Sequence, residues 1–235
     1  MGASYGIART ARSAYHFPLM SLLFDPDDAV RALGATDPVL KRLIERVGPC
    51  RFSTQKRATP FAALAQSITY QQLNGKAAGT IFGRFRAIYR PKRFPTPDAL
   101  IGTPDATLRA AGLSRSKIAA MKDLAAKTLD GTVPTLARLR GMSDEEIVER
   151  LTAVRGIGPW TVEMLLMFRL GRPDILPVTD YGVRKGYSIA YRKRELPSPD
   201  DLRERGERWR PYRSVAAWYL WRAVEVAEGP KGGRG

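Results

Sequence analysis

The chain is punctuated at short intervals by a hydroxyl or carboxylate residue with a proline close behind it. Thr36-Asp37-Pro38, Thr59-Pro60, Thr96-Pro97-Asp98, Thr103-Pro104-Asp105 and Ser198-Pro199-Asp200-Asp201 all read this way. A short polar side chain accepts the free N–H groups that open a helix. Proline suits the first turn because its φ is preset and it has no N–H to leave unpaired. Each site therefore starts a helix or a helical turn, and Ser143-Asp-Glu-Glu146 starts another through a capping box. Behind these starts the apolar residues recur at helical spacing, as in Val39, Leu40, Leu43, Ile44 and Val47, or Ile118, Met121, Leu124 and Ala125. Gly48-Pro49, Asn74-Gly75 and Gly171-Arg-Pro173 read as stops. No stretch alternates with period two beyond a few residues, so the chain is expected to be all-α.

Residues 1–20 and 229–235 show no periodicity and read as tails. The C-terminal helix carries its own apolar stripe, Val215, Tyr219, Ala223 and Val226, so the two ends of the chain are expected to pack together. That gives one helical subdomain from 21–58 with 181–228 and a central one from 59–180.

In the central part, Leu151-Thr-Ala-Val-Arg-Gly-Ile-Gly-Pro-Trp-Thr161 places two glycines and a proline between two helical segments, a helix-turn-helix corner spanning about 143–170. Such a turn leaves backbone N–H groups unpaired at the start of the second helix, and the helix dipole adds partial positive charge there. It reads as a phosphate site, or as an ordinary helix-turn-helix corner with no ligand. The 39 Lys and Arg against 23 Asp and Glu, a net charge of +16, point to a polyanionic partner. No apolar run is long enough to cross a membrane. The basic residues are spread over many segments rather than along one amphipathic helix, so nucleic acid is favoured over a membrane surface. Arg155, Arg184, Lys185 and Arg213 are candidate phosphate contacts.

With one histidine (His16) and one cysteine (Cys50), a zinc site, an iron–sulfur cluster and a histidine-activated nucleophile are not expected. No cofactor is expected either. Chemistry must come from carboxylates, Lys, Tyr or water. Asp180, in Leu176-Pro-Val-Thr-Asp180-Tyr-Gly-Val, suits a helix N-cap, and a capping carboxylate is held rigidly enough to act as a catalyst as well. All four tryptophans, Trp160, Trp209, Trp218 and Trp221, lie in the hairpin or the C-terminal segment. Some must belong to the core. The others supply flat walls on which an extruded base can stack. Gln66-Ser-Ile-Thr-Tyr-Gln71-Gln72-Leu73-Asn74 ends its helix in polar residues and a leucine. It reads either as a solvated helix end or as a loop whose Gln72 or Leu73 enters a duplex.

Together, Arg155-Gly-Ile-Gly-Pro-Trp-Thr161, Leu176-Pro-Val-Thr-Asp180, Tyr70-Gln-Gln-Leu-Asn-Gly-Lys-Ala-Ala78 and Trp209-Arg-Pro-Tyr-Arg-Ser-Val-Ala-Ala-Trp-Tyr-Leu-Trp-Arg222 resemble the helix-hairpin-helix DNA glycosylases. The alkylpurine branch, the 3-methyladenine DNA glycosylase II type, is the nearest in pattern, and the likeness spans roughly residues 30–225. It implies two helical subdomains flanking a DNA-binding cleft. Gly156, Gly158, Arg155 and Thr161 would grip one strand, with Gln71, Gln72, Leu73 and Arg213 also on the DNA. Asp180 matches the catalytic aspartate and Trp221 a pocket aromatic; Trp160, Met164 and Trp218 are the other pocket candidates. The backbone carbonyls of Thr152, Val154 and Ile157 match the ligands of a structural cation.

The chain departs from relatives that have a lyase activity. They carry a lysine two residues after the second hairpin glycine, and Trp160 stands there. The four-cysteine cluster of other relatives is absent, and the N-terminal β-rich domain of the longer alkylpurine enzymes is not expected. Met164 replaces an aromatic found in some relatives. The resemblance therefore implies a monofunctional, hydrolytic excision of alkylated purines such as 3-methyladenine and 7-methylguanine from duplex DNA in base excision repair. A glycosylase for another damaged or mismatched base and a non-catalytic hairpin DNA-binding module are the alternatives. A monomer in the cytoplasm, bound to double-stranded DNA and not to membrane, is expected.

Overall fold

In the computed structural model, residues 22–54 and 58–229 are described; the tail read at 1–20 and the residues after Gly229 lie outside them. Every regular element among the described residues is helical. In chain order they are α1 (Pro26–Thr36), α2 (Pro38–Val47), α3 (Pro60–Tyr70), α4 (Gly75–Ala87), α5 (Pro97–Gly102), α6 (Asp105–Ala110) and α7 (Arg115–Leu129). There follow α8 (Leu136–Arg140), α9 (Asp144–Thr152), α10 (Pro159–Leu165), α11 (Tyr181–Ala190), α12 (Pro199–Gly206) and α13 (Arg213–Glu228). No described helix is long and apolar enough to cross a membrane.

The caps account for most of these starts. Asp37, Thr59, Thr96, Ser143 and Ser198 each accept a backbone N–H from the first turn of the following helix, and Ser143 and Ser198 do so in full capping boxes. Thr103 behaves differently. Its hydroxyl bonds back to the Ala99 carbonyl at 2.7 Å and meets Tyr89 Oη at 2.9 Å, so α6 begins without a side-chain cap. Pro211 lies in the turn before α13. The second hairpin helix is also not uniform: beyond Leu165 it widens into π turns over Leu166–Leu170 before Gly171 stops it in a left-handed conformation.

Packing sorts the helices into two groups. The helices α1, α2, α11 and α13 pack on one another, which brings the two ends of the chain together, while α3 packs on α4, α7 and α10, and α9 on α10. The α11–α13 contact is the most extensive, and a glycine makes it possible. A Cβ at Gly186 would stand 1.9 Å from the Leu220 carbonyl oxygen, so at this crossing the two backbones touch.

Asp37 ties the terminal group together. Its Oδ1 accepts the N–H groups of Val39 and Leu40, and its Oδ2 accepts from Trp209 Nε1 at 3.0 Å and from the Tyr191 hydroxyl. Burial alone would raise this carboxyl, but the bonds from Tyr191, Trp209, Leu40 and Val39 outweigh it and hold it below the usual aspartate range. Burial and the Asp37 charge push the Tyr191 phenol far upward.

Candidate active site

Asp180 is the N-cap of α11, and Oδ1 accepts the Val183 N–H at 2.7 Å. Two indoles complete its environment. Trp221 Nε1, from α13, donates to Oδ1 at 2.8 Å, and Trp160 Nε1, from the second residue of α10, donates to Oδ2 at 2.7 Å. Three donors from three segments thus fix the carboxylate in place. Oδ1 carries two of them. Oδ2 carries one, with no second protein donor among the described residues, and so keeps a free lone pair. Gly182 makes room for this arrangement: a Cβ there would lie 2.8 Å from Trp221 Cδ1 and 3.1 Å from Asp180 Oδ1.

A cavity of about 320 Å³ opens between α3 and the second hairpin helix, walled by Gln66, Ser67, Tyr70, Met164 and Phe168. Phe168 joins it to the carboxylate. Its ring lies 5.9 Å from that of Trp221 and stacks on Phe52 at 5.3 Å. A larger cavity near Arg192–Pro197 and Arg205 lies past the far end of α11, about 15 Å from Asp180 along the helix rise. It has no part in this site. Glu163, one turn beyond Trp160, has Oε2 buried without a hydrogen-bond partner among the described residues. Burial, and then the charge of Asp180, push its carboxyl up to about 7.

The hairpin turn has the expected form. Gly156 sits at φ +77° and the Ile157 N–H bonds to the Val154 carbonyl at 3.0 Å. Gly158 caps α10 in extended backbone with open space where a Cβ would stand. Among the described residues the N–H groups of Gly156, Gly158 and Trp160 have no protein acceptor, which is what a phosphate requires. Hard oxygen donors such as the carbonyls of Thr152, Val154 and Ile157 suit an alkali or alkaline-earth cation, and Val154 keeps its second lone pair for one. Arg155 is exposed beside them.

Five of the expected site residues are placed otherwise. Thr161 is buried and its N–H bonds to the Gly158 carbonyl, because it belongs to the first closed turn of α10; it does not face a strand. Arg213 is enclosed by Asp174 and Glu207, with Nε 2.6 Å from Asp174 Oδ1, so its charge is already matched and is not offered to phosphate. Trp218 is a core residue, set edge-on to Tyr219 and covered by the Arg222 guanidinium 5.1 Å above its ring, leaving no face for a base. Gln71 points its amide at the hairpin, Nε2 donating to the Gly156 carbonyl at 2.8 Å, rather than outward. Arg184 is likewise engaged, through Nε on the Pro197 carbonyl. By contrast Gln72, at φ +56°, and Leu73 are exposed at the tip of the α3–α4 turn. The sequence candidates did not include Phe168, Tyr70 and Gln66, which wall the cavity, or Gly182 beside Asp180. The signal for Gly182 was present in its spacing of four from Gly186 on one helix face.

The HhH-GPD model, described as a superfamily of base excision DNA repair proteins, matches residues 65–211. The chain belongs to that superfamily. It is 38% identical over 197 residues to the DNA-3-methyladenine glycosylase 1 of Schizosaccharomyces pombe, covering 83% of this chain and 86% of the relative. A putative DNA-3-methyladenine glycosylase of Bacillus subtilis is 32% identical over 70% of this chain and 59% of its own length. Among solved structures, the S. pombe 3-methyladenine DNA glycosylase in complex with abasic DNA superposes with a TM-score of 0.75, covering 87% of this chain and all of that one. A DNA-3-methyladenine glycosidase of Bacillus halodurans superposes with a TM-score of 0.79 at 36% identity, over 87% of this chain and 94% of that one.

Proposed function

We propose that this HhH-GPD protein is a monofunctional DNA glycosylase that excises alkylated purines, of the 3-methyladenine and 7-methylguanine type, from duplex DNA in base excision repair. The observation that carries the reading is the lone pair left on Asp180 Oδ2, in a carboxylate otherwise immobilised by Trp160, Trp221 and the Val183 N–H. A purine alkylated at N3 or N7 is cationic, so it leaves as a neutral base and needs no general acid. As the N-glycosidic bond breaks, the sugar takes on oxocarbenium character, and a fixed carboxylate beside it stabilises that charge without reorganising. The same oxygen orients the attacking water and accepts its proton.

The aromatic and polar walls of the cavity at Tyr70, Met164, Phe168 and Gln66 suit an extruded base, with Trp221 between base and carboxylate. The hairpin N–H groups hold phosphate, and Gln72 and Leu73 fill the vacated stack. Trp160 donates to Asp180 from the position where a lyase has its lysine, which supports simple hydrolysis. The three hairpin carbonyls would hold a structural cation, and no step of the reaction runs through it. On this reading the protein acts as a monomer in the compartment that holds the DNA, the cytoplasm, with the terminal and central helix groups as its two subdomains.

The deciding experiment is incubation of the pure protein with methylated duplex DNA, followed by identification of the released bases. Release of free 3-methyladenine or 7-methylguanine, with an intact abasic strand left behind, is expected. Strand cleavage with a borohydride-trapped adduct contradicts the hydrolytic reading. Release of no alkylated base contradicts the substrate assignment.

A further inference from the structure

The exposed tip of the α3–α4 turn and the phosphate-binding hairpin are 85 residues apart in sequence between Gln71 and Gly156, yet they touch. Behind both runs α7. From its first turn, Lys117 Nζ donates to the Thr69 carbonyl at 2.6 Å and the Gln71 carbonyl at 2.9 Å. These belong to the last turn and C-cap of α3, where carbonyls lack intrahelical partners and a cation is favoured. Six residues on, about 9 Å along the helix, Asp123 Oδ2 accepts the Arg155 N–H at 2.7 Å. Lys127 Nζ fixes that carboxylate at 2.8 Å to each oxygen. Between them Ala120 faces Gly156, where an added Cβ would be 3.5 Å from its own. One rigid helix thus holds the inner side of both DNA-facing turns, and Gln71 bridges them directly.

We infer that Lys117 and Asp123 are positioning residues that hold the Gln72-Leu73 tip at a fixed distance from the hairpin. Insertion of the tip into the duplex and capture of the flanking phosphate then occur as one event. This inference rests on the proposed role of Gln72 and Leu73 as the duplex-filling wedge. Gln72 has a left-handed backbone, φ +56°, which a residue with a Cβ adopts at a cost and keeps only where its surroundings impose it. The Lys117 bonds to the residues just before it are that imposition. Burial lowers the Lys117 ammonium, consistent with a charge lodged between α3 and α7. Among the described residues Lys117 Nζ donates to the Thr69 and Gln71 carbonyls and to no cavity side chain or Asp180, so its loss should act on opening the duplex and not on bond cleavage.

The test uses the full chain, two duplex substrates and a single-stranded control. One is a duplex with a single N7-methylguanine; the other is a duplex carrying 2-aminopurine beside a tetrahydrofuran abasic-site analogue, whose fluorescence rises when a side chain enters the stack. For Lys117→Met, single-turnover excision should fall about 10- to 100-fold, the scale of a charged hydrogen bond. The 2-aminopurine signal should fall with it. Excision of the same base from single-stranded DNA should change less than about twofold. Lys117→Arg, which can keep both carbonyl bonds, should recover most of the duplex activity. Equal losses on duplex and single strand, or a 2-aminopurine signal unchanged in Lys117→Met, overturn the inference. Gln72→Ala and Leu73→Ala separate the two failures. If neither lowers the 2-aminopurine signal, the wedge reading itself is wrong and the inference falls with it. If either does so while Lys117→Met does not, the inference alone is wrong.

Discussion

Two aspartates in this protein have nearly the same local chemistry and different surroundings. Asp37 and Asp180 each cap a helix, each accept at least one backbone N–H from its first turn, and each accept at least one indole N–H. At Asp37 all four acceptor directions are filled and the residue is 1% exposed. At Asp180 one direction is open, one of the two indoles, Trp160, is 46% exposed, and an aromatic-walled cavity lies beyond the other. A saturated carboxylate stabilises a fold. The same carboxylate with one lone pair withheld has something to offer a substrate. The type of donor does not distinguish the two residues; the unfilled position does.

The strongest test of this contrast exchanges the two consequences. Asp180→Asn should lower excision of 7-methylguanine by at least about 100-fold, the scale on which preorganised electrostatic groups act, while DNA affinity changes little. Asp37→Asn should do the reverse. It sets an amide NH₂ against the Trp209 donor and costs about 1–3 kcal/mol of stability in urea unfolding, with activity per folded molecule retained. Loss of turnover in folded Asp37→Asn protein would break the contrast.

A smaller effect is expected at Gly182. Gly182→Ala forces the Trp221 ring or the Asp180 carboxylate to shift, since the new methyl would stand 2.8 Å from Trp221 Cδ1. Excision should fall about tenfold, roughly 1.4 kcal/mol of barrier, with the melting temperature lowered only modestly.

Acid titration separates the two sites further. A carboxyl held below its unfolded value stabilises the fold at every pH above that value and loses the contribution as pH falls through the folded one. The stability advantage of wild type over Asp37→Asn should therefore shrink below pH 3.8 and be constant above it. Glu163 has the opposite sign. Its folded value, about 7, exceeds the unfolded 4.5, so its contribution is present below pH 4.5 and lost as pH rises through 7. Glu163→Gln should melt with wild type at low pH and above it at pH 8, by a few degrees at most, as followed by circular dichroism.

What could be read from residue order was what is local. The caps at Thr59, Thr96, Ser143 and Ser198, the hairpin turn and the capping role of Asp180 all depend on neighbours within a few positions. What could not be read was which long side chain meets which distant group. Arg213 looked like a phosphate contact because arginine in a basic chain is solvent-facing by default; Asp174, 39 residues away, claims it. The Asp37 bond to Trp209 spans 172 residues, and the Lys117 bond to Thr69 spans 48. The widening at Leu166–Leu170 has no compositional mark either, yet it lies in the segment that presents Phe168 to Trp221. Trp218 and Trp221 differ by three positions on one helix, and only the packing of Arg222 and Tyr219 decides that the first is core.

The grip of two indole N–H groups on one carboxylate also gives the protein an internal optical reporter. Trp160 and Trp221 emit from the same few ångströms in which the reaction is proposed to occur, and their emission depends on the charge they donate to and on any ring that stacks beside them. Neutralising Asp180, or filling the cavity with free base, should change the protein's own fluorescence. Occupancy of the site can then be followed in real time on unlabelled protein and unlabelled DNA.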